Sequence, residues 1–208
     1  MSETCRKGSR VIKNIIFDIG NVLVYYRPFE YLKKRYSHED AAFLLAAIFE
    51  TQEWQELDKG TLTEEEALRI FIARDPDKEH ILREMMADFY NIFTPIESSI
   101  TILKELRKKG YTILFLSNIP HGIYDFITTT YDFLNEFDGG IASAKVKLLK
   151  PDEDIYLHLI NTYNIEPKES LFIDDTAQNV KTAGNLGFET IHLTNPDNLK
   201  RDLEMVGV

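Results

Sequence analysis

The sequence NIIFDIGNVLV, residues 14–24, gives the clearest indication of the fold. Its apolar run ends in one carboxylate, Asp18, and then come Gly20 and Asn21, which favour a turn. The pattern predicts a buried strand that gives way to a loop at Asp18. In open α/β sheets, ligands bind at the carboxyl ends of the strands. Taken alone, Asp18 is either part of such a site or an ordinary aspartate that ends a strand beside a turn.

Two further apolar runs, residues 111–116 and 170–173, also end in polar side chains. These side chains are Ser117, Asn118, Asp174 and Asp175. Strand and helix patterns alternate through this half of the chain, which predicts a parallel sheet covered by helices on both faces. Because the strand ends share one edge, we expect these groups to meet Asp18 there. Carboxylates so close together repel one another, and Mg²⁺ with oxygen ligands relieves that repulsion.

Lys150, just before a predicted helix at residues 151–163, supplies a positive charge that can balance an anionic ligand. Each of these polar groups also has a plainer interpretation. The pair at residues 117–118 can be a turn or a helix cap, Asp175 can cap the helix that starts near Ala177, and Lys150 can be a solvated surface residue. Their occurrence together, in this order, favours a functional site over these separate structural roles.

The stretch from Phe29 to about Phe93 has helical patterns throughout, including a capping box of Thr63 and Glu66, and it contains no β-rich run. It therefore predicts a helical insertion after the first strand. We predict an α/β fold with a Rossmann-like parallel sheet. Residues 1–27 and 94–208 would form the core, and residues 28–93 an inserted helical cap.

Composition limits the classes of function. The 208 residues carry a net charge of −10, which argues against a nucleic-acid-binding surface. No apolar run approaches the roughly 20 residues of a membrane span, and the first residues lack the apolar core of a signal peptide. Cys5 is the only cysteine, so no internal disulfide can form. We expect a cytoplasmic monomer or homodimer that binds neither nucleic acid nor membrane.

Four short motifs together resemble the haloacid dehalogenase superfamily. They are Phe-Asp-Ile-Gly-Asn-Val at 17–22, Leu-Ser-Asn at 116–118, Lys-Pro-Asp at 150–152, and Phe-Ile-Asp-Asp at 172–175 followed by Asn179. Each motif is unspecific alone, but the four in this order, with a helical insertion after the first, are specific. The first motif is similar to that of a phosphatase branch that includes sugar-1-phosphate phosphatases.

This resemblance implies a role for each matching residue. Asp18 would be the nucleophile that forms an aspartyl-phosphate. Ser117, Asn118 and Lys150 would hold the phosphoryl oxygens, with Lys150 also neutralising charge during catalysis. The ligands of Mg²⁺ would be Asp18, the backbone carbonyl of Gly20, Asp174 and, directly or through a neighbour, Asp175. The implied substrate is a small phosphorylated metabolite, with a sugar phosphate expected.

Gly20 is the departure from the family pattern, because most phosphatases of the superfamily carry a second aspartate there. That aspartate protonates the leaving alcohol, a contribution typically worth ~10²–10⁴ in rate. Three explanations compete: a leaving group that needs little protonation, an acid supplied from the cap or the substrate, or a different reaction. Asp58 is a candidate acid from the cap, although a solvated residue in a turn at 57–60 is the plainer interpretation.

Two alternatives to a phosphatase remain open. Dehalogenases of the superfamily lack the second aspartate and need no metal, but they usually carry Tyr at the position of Gly20, and the Asp174–Asp175 pair suits a cation. A binding or regulatory protein can keep the fold without turnover. Several residues near the predicted site are candidates for contacting the leaving group, with hinge packing or a loop position as the plainer interpretation. They are Tyr25, Tyr26, Arg27 and His121.

Overall fold

The structure is a computed structural model that describes residues 11–208. The first ten residues, including Cys5, lie outside the described part. Seven strands are present in it: β1 Asn14–Phe17, β2 Val24–Tyr25, β3 Thr94–Pro95, β4 Thr112–Ser117, β5 Gly139–Ala142, β6 Ser170–Asp174 and β7 Glu189–His192. Five of them form one parallel sheet in the order β5-β4-β1-β6-β7, while β2 and β3 pair antiparallel. The predicted α/β fold with a Rossmann-like sheet is confirmed.

The central strand β1 lies between β4 and β6. Phe17 is in register with Phe115 on one side and Ile173 on the other. Asp18 is therefore level with Leu116 on β4 and with Asp174 on β6, and Ser117 lies one residue beyond Leu116. The polar groups that end the three strands thus lie at one edge of the sheet. The convergence predicted from the strand ends follows from this register.

Helices cover both faces of the sheet. Those in the second half of the chain are α6 Glu97–Lys108, α7 His121–Thr130, α8 Ser143–Val146, α9 Glu153–Tyr163, α10 Ala177–Asn185 and α11 Leu199–Val206. Ile15 and Phe17 pack with residues of α6, α7 and α11, whereas Ile16 packs with residues of α9 and α10 on the opposite face. Strand β5 ends at Ala142, because α8 begins at Ser143.

The segment between β2 and β3 contains only helices among the elements described. They are α1 Pro28–Arg35, α2 His38–Leu44, α3 Gln52–Lys59, α4 Glu64–Arg74 and α5 Glu79–Asp88, with a π-helical turn at Leu45–Phe49. The predicted turn at residues 57–60 is wrong. The helix α3 continues to Lys59 and ends at Gly60, whose φ of 71° is left-handed.

Buried side chains of this helical segment belong to the same apolar cluster as Ile15 and Phe17. The antiparallel pair β2–β3 brings its two ends together, which is compatible with an insertion into the α/β core. The division into a core of residues 1–27 and 94–208 and a cap of residues 28–93 remains a proposal. In residues 11–208, no helix combines the length and the apolar character that crossing a membrane requires.

Candidate active site

Asp18 follows β1 directly and is 8% exposed. Its Oδ1 accepts a hydrogen bond from the backbone N–H of Ile19 at 2.8 Å, and it lies 2.9 Å from Nζ of Lys150. The carboxylate is thus held by its own loop and by one buried cation. A buried carboxylate kept in place at a strand end is suited to attack a bound electrophile.

Lys150 is the cation at the centre of the site, although a solvated lysine was one interpretation of the sequence. It is 4% exposed, and Nζ lies 2.7 Å from Oδ2 of Asp174 and 2.8 Å from the carbonyl oxygen of Leu116. Burial alone would lower the pKa of Lys150, but the charges of Asp18 and Asp174 outweigh it and raise that pKa. The ammonium group is therefore charged and bridges two carboxylates.

Asp174 and Asp175 end β6 beside Asp18. The side-chain amide of Asn179 donates to both oxygens of Asp174, at 3.0 and 3.1 Å, and the backbone N–H of Thr176 donates to Oδ1. The side chain of Asn21 donates to Oδ2 of Asp175 at 2.9 Å. Hydrogen bonds from α10, from the residue before it and from the loop after β1 therefore hold both carboxylates.

The arrangement fits a divalent cation. One carboxylate oxygen from each of Asp18, Asp174 and Asp175 lies within 4.8 Å of the others. Burial raises the pKa of Asp18 to about 7, Lys150 opposes that rise, and the other two aspartates add to it. Burial also raises the pKa of Asp175. Three carboxylates against one lysine leave excess negative charge, which Mg²⁺ with its preference for oxygen ligands would neutralise.

Ser117 and Asn118 lie at the end of β4, as predicted, but their side chains have different surroundings. Ser117 is 2% exposed and its hydroxyl hydrogen bond lowers the pKa of the neighbouring Asp18. The amide of Asn118 is engaged by the backbone of Lys150: Nδ2 donates to its carbonyl and Oδ1 accepts from its N–H, both at 2.9 Å. The Asn118 side chain therefore positions Lys150, a function that the sequence did not indicate.

A cavity opens beside these groups, with about 380 Å³ of empty space counting its mouth. The polar residues of its lining include Gly20, Asp58, Ser117 and Asn118. Apolar and aromatic side chains form the remaining wall. They are Ile19, Val24, Tyr26, Trp54, Phe93, Ile119, Pro120, Ile123 and Ile127. A molecule that places a polar group against these four residues would have its remainder against apolar surface.

Of the candidates for contacting the leaving group, Tyr26 lines this cavity. Its ring is stacked between Phe93, with centroids 5.2 Å apart, and Trp54, at 6.3 Å. Tyr25 and Arg27 do not line it and instead contact each other, with the guanidinium 4.5 Å from the ring centroid. His121 is exposed and lines a separate groove beside α4.

Sequence reasoning missed the apolar wall. Trp54 and Phe93 come from the helical segment and from the residue before β3, and nothing in their local pattern distinguishes them from core residues. The sequence could have indicated a structural role for Asn21, because an asparagine in a turn commonly forms side-chain hydrogen bonds. It has a left-handed φ of 52°, and its side chain connects Asp175 to the backbone N–H of Tyr26.

Residues 12–187 match the family model described as haloacid dehalogenase-like hydrolase. The chain belongs to the haloacid dehalogenase-like hydrolase family. The predicted resemblance is thereby confirmed, as is the prediction that the chain is a hydrolase. The four motifs quoted from the sequence are the segments that form this site.

Similar members of the haloacid dehalogenase-like family include named phosphatases. D-ribitol-5-phosphate phosphatase of Bacteroides thetaiotaomicron is 26% identical over 94% of this chain and 98% of its own length. Sesquiterpene phosphatase astK of Aspergillus oryzae is 24% identical over 93% of this chain and 94% of its own length. These similarities agree with the predicted phosphatase branch.

Solved structures of the haloacid dehalogenase-like family superimpose on the chain. A member from Bacteroides thetaiotaomicron, in complex with magnesium and inorganic phosphate, has a TM-score of 0.63 at 26% identity and covers 86% of this chain and 93% of its own. L-2-haloacid dehalogenase from Xanthobacter autotrophicus has a TM-score of 0.67 at 20% identity and covers 94% of this chain and 83% of its own. The latter similarity concerns the fold alone.

Proposed function

We propose that the protein is a Mg²⁺-dependent phosphatase that hydrolyses a small phosphomonoester through an aspartyl-phosphate on Asp18. The observation that carries this proposal is the buried contact of Lys150 with both Asp18 and Asp174. The buried ammonium group contacts both the carboxylate that we propose as nucleophile and a second carboxylate that we propose as a metal ligand. The named phosphatases among the relatives support the same reaction.

The residues act by position and charge. A carboxylate oxygen of Asp18 attacks the phosphorus, and its backbone and lysine contacts keep that oxygen aimed. The Lys150 ammonium attracts the phosphoryl oxygens, and the Ser117 hydroxyl can donate to one of them without adding charge. The amide of Asn118 keeps Lys150 in place. Water then attacks the phosphorus of the intermediate and releases phosphate and free Asp18.

The proposed Mg²⁺ ligands are Asp18, the carbonyl of Gly20, Asp174 and, directly or through a neighbour, Asp175. When bound, the ion would neutralise charge on the phosphoryl group as the nucleophile approaches. The family member crystallised with magnesium and phosphate supports this assignment, as do the three converging carboxylates.

The substrate remains a small phosphorylated metabolite, and the sugar phosphate expected from the first motif is a prediction. The cavity wall adds a preference of its own. Tyr26, Trp54 and Phe93 offer ring surface to the leaving group, and apolar surface favours a leaving group with an aromatic or aliphatic face. Sugar phosphates and apolar phosphates are therefore the two classes to compare. We also keep a cytoplasmic location, and a monomer or homodimer, as proposals.

The test is phosphate release from p-nitrophenyl phosphate, sugar phosphates and aryl or alkyl phosphates. It is measured in Mg²⁺ and in EDTA, for the wild type and for Asp18→Asn. We expect release that needs Mg²⁺ and falls at least ~10³-fold in the variant, because an amide cannot act as the nucleophile. Release that persists in EDTA, or in Asp18→Asn, would contradict the proposal. If no phosphate appears, chloride release from 2-chloropropionate separates a dehalogenase from a protein that only binds.

A further inference from the structure

We propose that Asp58 is the catalytic acid and base of this site and does the work of the aspartate that Gly20 replaces. This inference rests on the proposed phosphatase function. It assigns a catalytic residue to α3, in the inserted helical segment.

The first observation is the location of Asp58. It is the one carboxylate among the described residues that line the cavity, where Gly20, Ser117 and Asn118 also lie. Asp58 is close enough to Asp18 and Lys150 for their charges to act on it. The leaving oxygen of a phosphoryl group held by Ser117 and attacked by Asp18 must point away from Asp18, into this cavity. Asp58 is therefore on the side where a proton is needed.

The second observation is that contacts from the core fix the end of α3. The Ser143 hydroxyl donates to the carbonyl oxygen of Asp58 at 2.5 Å and accepts from the N–H of Ile119 at 2.8 Å. One hydroxyl thus connects Asp58 to the residue that follows Asn118. At Gly60, an added Cβ would lie 2.4 Å from the carbonyl oxygen of Ala144, so α3 ends in direct backbone contact with α8.

The third observation is the space at Gly20. A Cβ built there meets no heavy atom within 4 Å, and the φ of Gly20 is not left-handed. The position that carries the acid in most phosphatases of this type is thus open rather than filled. A side chain from across the cavity can serve the same leaving oxygen, and an aspartate could be returned to position 20 without a clash.

The environment of Asp58 suits both forms of the carboxyl group. The charged groups that act on it are Asp18 and Lys150, and the phenol of Tyr26 faces it across the cavity wall. Burial raises the pKa of Asp58 to about 7, the negative charge of Asp18 adds to the rise and Lys150 opposes it. Near neutral pH the group can therefore give up a proton and take one back.

Asp58 would give up a proton in the first step of the reaction and regain one in the second. As the Asp18 oxygen bonds to phosphorus, the bond from phosphorus to the leaving oxygen breaks, and protonated Asp58 gives its proton to that oxygen. The alcohol leaves and Asp58 is now a carboxylate. It then takes a proton from the water whose oxygen attacks the phosphorus of the aspartyl-phosphate. Phosphate and free Asp18 are released, and Asp58 is protonated again.

The experiment compares Asp58→Asn with the wild type on two substrates, p-nitrophenyl phosphate and 2-phenylethyl phosphate. The first leaving group needs no proton, whereas the second would leave as an unstable alkoxide. We compare kcat/KM, because it reports the steps up to release of the alcohol and not the later attack of water on the common intermediate. We expect kcat/KM for 2-phenylethyl phosphate to fall ~10²–10³-fold and kcat/KM for p-nitrophenyl phosphate to fall less than about 10-fold. The decrease in wild-type activity on the alkyl ester above about pH 7 should disappear in the variant.

Two further variants complete the test. Gly20→Asp in the Asp58→Asn background should restore activity on 2-phenylethyl phosphate at least ~10-fold, because it returns an acid to the open position. Glu56→Gln, on the same helix but outside the cavity, should match the wild type.

Equal losses of kcat/KM on both substrates, or no loss on either, would overturn the role of Asp58 while leaving the phosphatase function intact. A wild type that releases no phosphate from any ester would overturn both.

Discussion

The side-chain amide of Asn118 forms two hydrogen bonds to the backbone of Lys150, both 2.9 Å long. The two residues come from loops after β4 and before α9, separated by 32 positions in the chain. The contact explains how a lysine on a loop is held against Asp18 and Asp174. It also makes the position of Nζ depend on Asn118, whose side-chain amide bonds the backbone of the lysine and not its ammonium group.

Asn118→Ala should therefore lower both stability and activity. It leaves an N–H and a C=O of Lys150 without their partner, at a cost of about 1–3 kcal/mol in the free energy of unfolding. Displacement of Nζ should lower kcat by roughly 10²-fold. Urea unfolding and phosphate release measure the two effects. Asn185→Ala, at the exposed end of α10, is the control and should change neither. Full activity in Asn118→Ala would show that Lys150 keeps its place unaided.

Asn179→Ala should weaken Mg²⁺ binding rather than abolish the fold. Asn179 donates to both oxygens of Asp174, and hydrogen bonds to metal ligands of this kind are typically worth 10–100-fold in metal affinity. We expect the Mg²⁺ concentration needed for a given rise in Tm to increase by about that factor. The rise itself follows from binding to the folded state alone.

The control for that titration is Asn91→Ala. Asn91 is exposed and donates to Asp88, away from the three aspartates. Its rise in Tm at each Mg²⁺ concentration should equal that of the wild type. If Asn179→Ala needed no more Mg²⁺ than the wild type for the same rise in Tm, Asp174 would either need no orientation by Asn179 or not bind the ion.

The strand ends were predictable because an apolar run followed by a polar residue is a local signal, and the parallel sheet then places all such ends at one edge. Asp18, Ser117 and Asp174 were found in this way. Asp58 was only a candidate acid, with a solvated turn residue as the plainer interpretation, because Leu57-Asp58-Lys59-Gly60 has the local composition of a turn. Its actual position depends on Ser143, 85 residues later. The fold and the acidic centre could therefore be predicted from the sequence. The positions of residues in the helical segment depend on tertiary contacts, which no local pattern indicates.

The pH dependence of stability gives a second readout on Asp58. Because its pKa rises from about 4 in the unfolded chain to about 7 in the folded protein, the folded state binds this proton more tightly. Its contribution to stability is full below about pH 4 and is lost as the pH rises to about 7. Asp58→Asn cannot ionise, so the variant should have a higher Tm than the wild type at pH 8 and a Tm closer to it at pH 5.

Glu56→Gln is the matched control for that comparison, since Glu56 lies on the same helix and contacts exposed Gln52. Its difference in Tm from the wild type should be the same at both pH values. If the difference for Asp58→Asn were also independent of pH, the carboxyl group would titrate as it does in the unfolded chain.

Alanine substitutions at Gly60 and Gly110 separate the cost of a left-handed backbone from the cost of a steric clash. Both have a left-handed φ, 71° and 91°, so an alanine at either position costs about 1–2 kcal/mol. A Cβ at Gly110 meets no heavy atom within 4 Å, whereas one at Gly60 would lie 2.4 Å from the carbonyl oxygen of Ala144. Gly60→Ala should therefore destabilise the protein by a further 1–3 kcal/mol or so, because the end of α3 must move away from α8.

That movement carries Asp58 with it, so Gly60→Ala should also lose activity on 2-phenylethyl phosphate more than on p-nitrophenyl phosphate. Gly110→Ala, far from the cavity lining, should keep the wild-type ratio of the two activities. Urea unfolding of both variants and the ratio of the two rates provide the measurement. Equal destabilisation by the two alanines would mean that the contact between α3 and α8 adjusts without cost. An unchanged ratio in Gly60→Ala would mean that Asp58 keeps its place without that contact.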